Sequence, residues 1–199
     1  MGTMIERIVH FEVNGERFPS FLCTPDALED LAVGHLLTQG HIQGVNRILS
    51  MQVHGLSVFA QTDIPLPPPL TLEERIQALQ PVKKNTQMTQ EDISALMQAL
   101  LKQETFFGTH CIALKMPDGI CFREDVGRHN ALDKVIGYGA TRNVDFSRCA
   151  IAATGRISLE MLLKAAAVGI PTILSKKYPS DLSLSLAKDL GISIIQNAR

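Results

Sequence analysis

The sequence lacks the features of a membrane protein and of a protein that attracts nucleic acid through its overall charge. No apolar run approaches the ~20 residues of a membrane-spanning helix. The start, MGTMIERIVHFEV, has no basic region followed by an apolar core, and so predicts no signal peptide. The formal net charge is −1, so any anion site must be local. We therefore expect a cytoplasmic protein that binds neither membrane nor nucleic acid.

Cysteine is scarce, and its spacing excludes a common kind of zinc site. The four cysteines are Cys23, Cys111, Cys121 and Cys149, and no two of them form a C-x-x-C pair. Cytosolic chains rarely keep structural disulfides, so each thiol is expected to behave as a small buried hydrophobe. Cys149 opens an apolar run and is assigned to the core. Cys111 and Cys121 remain candidates for a reactive thiol, because local pKa decides reactivity.

Several motifs that would fix a chemistry are also missing. There is no G-x-x-x-x-G-K-[ST] loop and no G-x-G-x-x-G turn. The H-x-E and P-C-x-x-C pair of the zinc deaminases is absent as well. His110 and His129 without a third ligand type make a poor metal site. The sequence therefore predicts no bound metal and no zinc.

What is present divides the 199 residues into three parts. In residues 1–61, a hairpin over 5–23 turns at Asn14-Gly15, and a helix follows with Thr24 as its N-cap and a stop at Gly40. His35 falls on the apolar side of that helix, which favours a packed core histidine. Two strands, at 47–53 and 56–61, complete a small α+β domain.

Residues 62–104 read as a connector that carries two helices. The stretch DIPLPPP at 63–69 holds four prolines in seven residues, which favours an extended, stiff domain junction. Helical patterns follow at 70–80 and 90–103.

From residue 105 the sequence pattern predicts alternating strands and helices. Strands are predicted at 108–116, 120–123, 149–153, 170–174 and 192–195. Helices are predicted from Arg128, over 158–169 and over 181–190. This alternation predicts an α/β layered domain with a largely parallel sheet over 105–199.

The most unusual stretch, EDVGRHNALDKVIG at 124–137, runs from a strand through Gly127 into a helix. Gly127 suits a turn that needs positive φ or close backbone approach. Helix N-termini bind anions, and Arg128 adds a planar fork for phosphate or carboxylate. Within the helix, Ala131, Leu132, Val135 and Ile136 share one apolar face. The competing interpretation is a capped helix with a solvated polar face.

A second strand-to-helix turn carries Gly155 and Arg156, and Ser158 can cap the helix that follows. Glu160 and Lys164, four residues apart, read as a surface pair. Ligands of open α/β sheets bind at the carboxyl ends of strands, so both turns can face one pocket. The sequence therefore predicts an anion or nucleotide site there, with His129 and Asn130 close by.

Three stretches together resemble the FdhD/NarQ family of formate dehydrogenase accessory proteins. They are EDVGRHNALDKVIG at 124–137, TGRISLEMLLKAAAVGIP at 154–171 and CTPDALEDLAVGHLLTQGHI at 23–42. The resemblance covers most of the chain outside residues 62–104.

The resemblance implies a cytoplasmic homodimer whose large domain has the three-layer cytidine deaminase-like fold, with a mixed, mostly parallel sheet. Such proteins carry sulfur from a cysteine desulfurase to the molybdenum bis-guanine-dinucleotide cofactor of formate dehydrogenase. The sulfur rides as a persulfide on a C-x-x-C loop, and the large domains bind the guanine nucleotide ends. The cofactor-binding residues implied in this sequence are His110, Gly127, Arg128, His129, Asn130, Gly155, Arg156, Ser158, Lys164 and Arg199.

The sequence departs from the family pattern in three places. No cysteine occurs between Cys23 and Cys111, Phe106-Phe107-Gly108 stands where the family has Thr-Gly-Gly, and the chain ends at Arg199 without the family's glycine- and aromatic-containing tail. Persulfide chemistry needs a thiolate, so the first departure affects sulfur transfer itself.

Two functions stay open at this point, beside an unrelated α/β binding protein. One is an accessory protein that binds the cofactor and supports its sulfuration for formate dehydrogenase. The other is a degenerate relative that binds nucleotide or cofactor without sulfurtransferase activity. Cys111, beside His110, is the best substitute carrier thiol.

Overall fold

The computed structural model describes residues 4–84, 87–103, 108–196 and 198. Within these ranges the chain forms two β-sheets and six α-helices. The strands β1 to β9 are, in chain order, Arg7–Val13, Glu16–Cys23, Ile48–His54, Ser57–Thr62, His110–Met116, Gly119–Asp125, Ala150–Ala153, Thr172–Ser175 and Ser193–Gln196. The helices α1 to α6 are Leu28–Thr38, Leu72–Ala78, Gln90–Gln103, Arg128–Thr141, Leu159–Ala167 and Asp181–Leu190.

The first sheet has the strand order β2-β1-β4-β3, with a parallel pairing of β1 and β4 between two antiparallel pairings. The hairpin turns at Asn14 and Gly15, which both have positive φ, as the Asn-Gly signal requires. Alternate side chains of β1, including Val9, Phe11 and Val13, are buried with the apolar residues of α1.

The second sheet has the order β6-β5-β7-β8-β9. Strand β5 is antiparallel to both neighbours, whereas β7, β8 and β9 are parallel to one another. Four of the five strands therefore run the same way, and their carboxyl ends lie at one edge of the sheet.

Helices cover both faces of the second sheet. On one face, apolar residues of β5, β7 and β8 pack with residues of α4, α5 and α6. On the other face, Cys111, Ala113 and Ala152 pack with Ile93, Leu96 and Leu100 of α3. The resulting arrangement has three layers, and the predicted mixed α/β architecture is confirmed.

The Pro-rich stretch at 63–69 contains no helix or strand, in agreement with an extended connector. The division into parts at 1–61, 62–104 and 105–199 stays a prediction. Among the described helices, none is both long enough and apolar enough to cross a bilayer.

The predicted start of α1 is wrong. The helix begins at Leu28, behind Ala27, whose φ of 46° puts it in the left-handed region, and no side chain caps it. Thr24 is engaged elsewhere: its hydroxyl accepts the Val126 N–H at 3.3 Å, and its own N–H donates to Asp125 Oδ2 at 3.1 Å. These contacts to the second sheet outweigh the local capping preference of Thr24.

Helices α1 and α4 cross with their backbones in direct contact. A Cβ added at Gly34 would overlap the carbonyl of Asp133, and one added at Gly137 would overlap the carbonyl of Asp30. The later residue of α1, Gly34, meets the earlier residue of α4, Asp133, and the earlier Asp30 meets the later Gly137, so the two helices are antiparallel. This contact joins the first sheet with its helix to the α/β layers.

A first cluster of buried charges surrounds Lys134, whose side chain is 0% exposed. Its ammonium lies 2.7 Å from Asp125 Oδ2 and 2.6 Å from Asp26 Oδ1, and donates to the Thr24 carbonyl at 2.9 Å. Asp125 is also fully buried. The cluster thus ties the segment before α1 to the end of β6 and to α4.

A second cluster joins α1, α4 and α5. The Lys164 ammonium lies 2.7 Å from Asp133 Oδ2 and 3.1 Å from the Thr38 hydroxyl. His35 places Nδ1 3.5 Å from the same Asp133 oxygen and packs edge-on against Phe21. Burial alone would raise the pKa of Asp133, but the Lys164 and His35 charges and hydrogen bonds hold that pKa below its ordinary value.

Two interpretations of this region that were given as alternatives to ligand binding are therefore wrong. The polar side of α4 is not solvated, because Asp133 and Lys134 are both buried. Lys164 does not form a surface pair with Glu160, since Lys164 is buried against Asp133. Glu160 instead accepts hydrogen bonds from Arg75 Nη1 at both of its carboxylate oxygens, at 2.9 and 3.0 Å. The helical spacing alone does not show that α1 and α2 cover these positions.

The helix crossing predicts that Gly34→Ala and Gly137→Ala destabilise the protein strongly, by about 3 kcal/mol or more, because the overlap is with backbone and no side chain can yield. Gly119→Ala is the matched control, since no atom lies within 4 Å of its added Cβ and its φ is not positive. Urea unfolding monitored by circular dichroism measures the difference. Equal midpoints for Gly34→Ala and Gly119→Ala would contradict the described crossing.

The buried pair predicts a specific acid sensitivity. Asp133 has a depressed pKa in the folded state, so its stabilising contribution is present above the ordinary Asp pKa of about 3.9 and is lost as pH falls through the folded value. Asp133→Asn should cost about 3–5 kcal/mol at pH 7, because it leaves the Lys164 charge buried and unpaired. Urea unfolding between pH 3 and 7 should show that this difference shrinks below pH 4. A pH-independent difference would show that the pair does not titrate as described.

Candidate functional site

The carboxyl edge of the second sheet gathers the ends of several elements. Strands β6, β7 and β8 end there at Asp125, Ala153 and Ser175, and β5 begins there at His110. His110 pairs with Asp125 across the β5–β6 ladder. Helices α4 and α5 start just beyond this edge, so their positive N-terminal ends lie at the same place.

The structure brings the two Gly-Arg turns together at this edge. A Cβ added at Gly155 would lie 3.0 Å from His110 Nδ1 and 3.7 Å from Arg128 Cδ. Gly155 therefore allows the β7–α5 turn to approach the side chains that come from β5 and α4. Arg156, the next residue, is exposed.

Three polar atoms at the starts of α4 and α5 are buried and have no hydrogen-bond partner within the described residues. They are Arg128 Nε, His129 Nε2 and Ser158 Oγ. Buried polar groups without partners are rare in proteins, and each requires an explanation. Here all three belong to residues predicted to bind a ligand.

Ser158 occupies the N-cap position of α5, but the prediction that its side chain caps the helix is wrong, because the hydroxyl makes no capping bond. Helix α4 likewise has no side-chain cap at Gly127. By contrast, the hydroxyls of Thr71 and Ser180 cap α2 and α6. The first N–H groups of α4 and α5 therefore lack the side-chain acceptor that those two helices have.

The turn at Gly127 was expected to need either a positive φ or close backbone approach. The φ of Gly127 is −106°, so the first of these does not apply. Its role is close approach: an added Cβ would lie 3.0 Å from Asn130 Nδ2. Its N–H donates to Asp125 Oδ1 at 2.8 Å. The Asn130 amide donates to the Leu22 carbonyl at 2.7 Å and to Asp125 Oδ1 at 3.1 Å, so it braces the turn.

Five of the predicted binding residues fall into two groups by the contacts of their side chains. The side chains of Asn130 and Lys164 are engaged in internal contacts, whereas those of Arg128, His129 and Ser158 carry the unpartnered atoms. Arg199 lies outside the described residues, as do Phe106 and Phe107. The binding role of the whole set stays a prediction.

His129 is expected to be neutral at pH 7. Burial lowers its pKa below the ordinary value, and the Arg128 and Lys164 charges lower it further, against smaller opposing effects of Glu160 and Asp133. A neutral imidazole can donate a hydrogen bond through Nε2 or accept one there.

All four cysteines are buried. Burial raises the pKa of the Cys23 thiol to about 11, with a further contribution from Asp125, and raises that of Cys149 to about 12. Burial also raises the pKa of Cys121. Cys111 is 1% exposed, and its backbone N–H donates to the Thr154 hydroxyl at 3.1 Å. None of these four thiols is accessible from solvent, and the raised pKa of Cys23, Cys121 and Cys149 disfavours their thiolate forms.

Two further observations concern other kinds of site. A cavity of about 620 Å³ lies between the end of α1, helix α2 and the ends of α4 and α5, and none of the predicted binding residues lines it. Within the described ranges, no group of three His, Cys, Asp or Glu side chains is placed to hold a metal ion.

Sequence reasoning missed the loop that follows β8. Lys176, Lys177 and Tyr178 lie at the same carboxyl edge and are exposed. The rule that ligands bind at strand carboxyl ends applies to every parallel strand, and the predicted strand at 170–174 could have pointed to this loop.

Comparison with known proteins gives consistent matches. A model of the FdhD/NarQ family matches residues 4–199. The sulfur carrier protein FdhD of Geobacillus kaustophilus is 34% identical over 208 residues, which cover 92% of this chain and 79% of that protein. The protein of the same name from Bacillus licheniformis is 34% identical over 212 residues, covering 94% and 81%.

A crystal structure from Desulfotalea psychrophila, assigned as a formate dehydrogenase accessory protein, matches the fold with a TM-score of 0.89 and 28% identity. The match covers 98% of this chain and 84% of that one. The family match spans nearly the whole chain. The chain therefore belongs to the FdhD/NarQ family.

Proposed function

We propose that this chain is an accessory protein for formate dehydrogenase maturation that binds the guanine nucleotide end of the molybdenum cofactor as cargo. The names of its relatives support the sulfur-carrier and accessory roles. The nucleotide end would lie at the edge where Gly127-Arg128 and Gly155-Arg156 meet. By resemblance, its partners are the formate dehydrogenase apoprotein and a second copy of the chain, in the cytoplasm.

The observation that carries this proposal is the group of three buried atoms that have no hydrogen-bond partner among the residues that the structure describes. Phosphate oxygens accept hydrogen bonds, and Arg128 Nε and Ser158 Oγ are donors. His129 Nε2 is a third donor in the matching tautomer of a neutral ring. A phosphate at the uncapped starts of α4 and α5 would satisfy these atoms and meet the positive ends of both helices.

The charges around the edge agree with an anion. Arg156, Lys176 and Lys177 are exposed there. Two carboxylates close to the starts of α4 and α5 are paired with cations: Asp125 with Lys134, and Glu160 with Arg75. These two carboxylates therefore oppose an anion at the helix starts less than unpaired ones would.

The thiols favour the second candidate function, a relative that binds the cofactor without carrying sulfur efficiently. A carrier thiolate attacks the donor persulfide, takes its outer sulfur and releases the donor thiolate. Buried thiols of raised pKa supply little thiolate for this attack, and no cysteine lies between Cys23 and Cys111. A cysteine desulfurase would then have no efficient acceptor on this chain.

The binding proposal predicts that Arg128→Ala and Arg156→Ala weaken GDP binding by about 1.5–3 kcal/mol each, or roughly 10- to 150-fold, the range for charged hydrogen bonds. Isothermal titration calorimetry measures the affinities. Arg148→Ala is the matched control, because exposed Arg148 lies just before β7, at the opposite edge of the sheet. Equal losses for Arg148 and Arg128 would point to a general charge effect, and unchanged binding in both site variants would refute the site.

The sulfur proposal predicts little persulfide on the native protein. After incubation with a cysteine desulfurase and free cysteine, intact mass should show far less than one added sulfur per chain. All four thiols should react with a thiol reagent once guanidinium unfolds the chain, and react slowly before that. Stoichiometric added sulfur that disappears in Cys111→Ala or Cys121→Ala would show that a buried thiol carries sulfur after all.

A further inference from the structure

Two loops at the carboxyl edge run side by side and are tied together along their length. The Lys176 N–H donates to the Ala153 carbonyl at 3.1 Å, and the Ser180 N–H donates to the Ile157 carbonyl at 3.0 Å. The hydroxyl of Ser175, the last residue of β8, also donates a hydrogen bond to the Gly155 carbonyl at 2.9 Å. The loop over 176–180 is therefore held in register with the loop over 153–157.

Tyr178 lies midway between the two tied positions of its loop, opposite the Gly155-Arg156 turn of the other loop. The Ser175 hydroxyl also accepts the Lys177 N–H at 3.0 Å, which fixes the start of the second loop. Helix α6 fixes its other end, because Ser180 is the N-cap of that helix. Tyr178 is thus carried by a short segment that is anchored on both sides, next to the turn of Gly155.

The two tyrosines of the chain have opposite surroundings. The Tyr138 ring is covered by Arg142 at 3.6 Å and by Arg123 at 4.9 Å from its centroid. The Tyr178 ring is open to solvent, because the residue is 66% exposed. It lies beside the exposed cations Lys176 and Lys177. An exposed aromatic ring among cations is the combination that binds a nucleotide, with stacking for the base and charge for the phosphate.

We propose that Tyr178 stacks on the aromatic base of a nucleotide whose phosphate lies at the Gly155 and Arg156 turn. This inference rests on the proposed function and adds the loop over 176–180 to the same site. Lys176 and Lys177 supply further positive charge on that loop. Stacking tolerates any base, so Tyr178 contributes affinity for nucleotides over bare phosphates, and base choice comes from other groups.

The experiment compares GDP with pyrophosphate, which carries the charge without the base. Wild-type protein, Tyr178→Ala, Tyr178→Phe and the matched control Tyr138→Phe are titrated by calorimetry and by tyrosine fluorescence. The chain contains no tryptophan, so its two tyrosines dominate the intrinsic fluorescence over the weakly emitting phenylalanines. N-acetyltyrosinamide corrects for absorption by the nucleotide. Melting temperatures check that each variant is folded.

Tyr178→Ala should bind GDP about tenfold more weakly and pyrophosphate as tightly as wild type. Tyr178→Phe should keep the affinity for GDP and lose the fluorescence quenching that GDP causes. Tyr138→Phe should keep both the affinity and the quenching.

Each other outcome overturns the inference in a recognisable way. Wild-type GDP affinity in Tyr178→Ala, with weakened binding in Arg128→Ala, would leave the proposed function standing without the stacking residue. Equal weakening for GDP and pyrophosphate in Tyr178→Ala would show that Tyr178 only shapes the loop. Wild-type protein that binds neither ligand would refute the stacking and the proposed function together.

Discussion

The arrangement of the site depends on one buried ammonium group, that of Lys134. It has no exposure to solvent, and a charge in that position is tolerated only when anions and carbonyls replace its water. Asp125 and Asp26 supply the anions, and the Thr24 carbonyl supplies a third contact. Three separate segments must therefore meet around Lys134 before the charge is compensated. Breaking one contact would leave the others with an unpaired buried charge.

Asp125 connects the Lys134 cluster to the turn that precedes α4. While one oxygen of Asp125 faces Lys134, the other accepts the Gly127 N–H and the Asn130 amide. The turn into α4 is thus fixed from behind, and so is the position of Arg128. The Asp133–Lys164 pair does the same for α5 and hence for Ser158. Rigid placement of this kind is what a binding site needs from its supporting residues.

Features that are set by contacts between residues close in sequence could be predicted from the sequence. The bounds of α3 and α6 were predicted as observed, because their starts are set by local caps at Thr89 and Ser180. The apolar face of α4 also follows from helical spacing alone. The meeting of the two Gly-Arg turns was expected from strand direction, a rule that needs no knowledge of side-chain contacts.

The wrong predictions share a different cause. The capping role of Thr24, and the surface pair of Glu160 and Lys164 that was the alternative to ligand binding, were both inferred from neighbours close in sequence. Their actual partners lie far along the chain: Val126 for Thr24, and Asp133 for Lys164. Charged residues of a motif can thus be structural as well as ligand-binding, and sequence spacing does not separate the two roles. Burial and hydrogen-bond partners do separate them: in the described part of the chain, Arg128, His129 and Ser158 each keep a buried polar atom without a partner.

In the proposed function, cofactor binding and sulfur carrying depend on separate parts of the chain. The described residues of the site come from β5, α4, α5 and the loops after β7 and β8, all outside residues 62–104. From that connector, Arg75 pairs with Glu160 in the first turn of α5. The pairing neutralises a carboxylate that would otherwise oppose an anion at that helix start. A connector without cysteine can therefore support the binding site electrostatically, while sulfur transfer would require a thiol in a place that this connector does not supply.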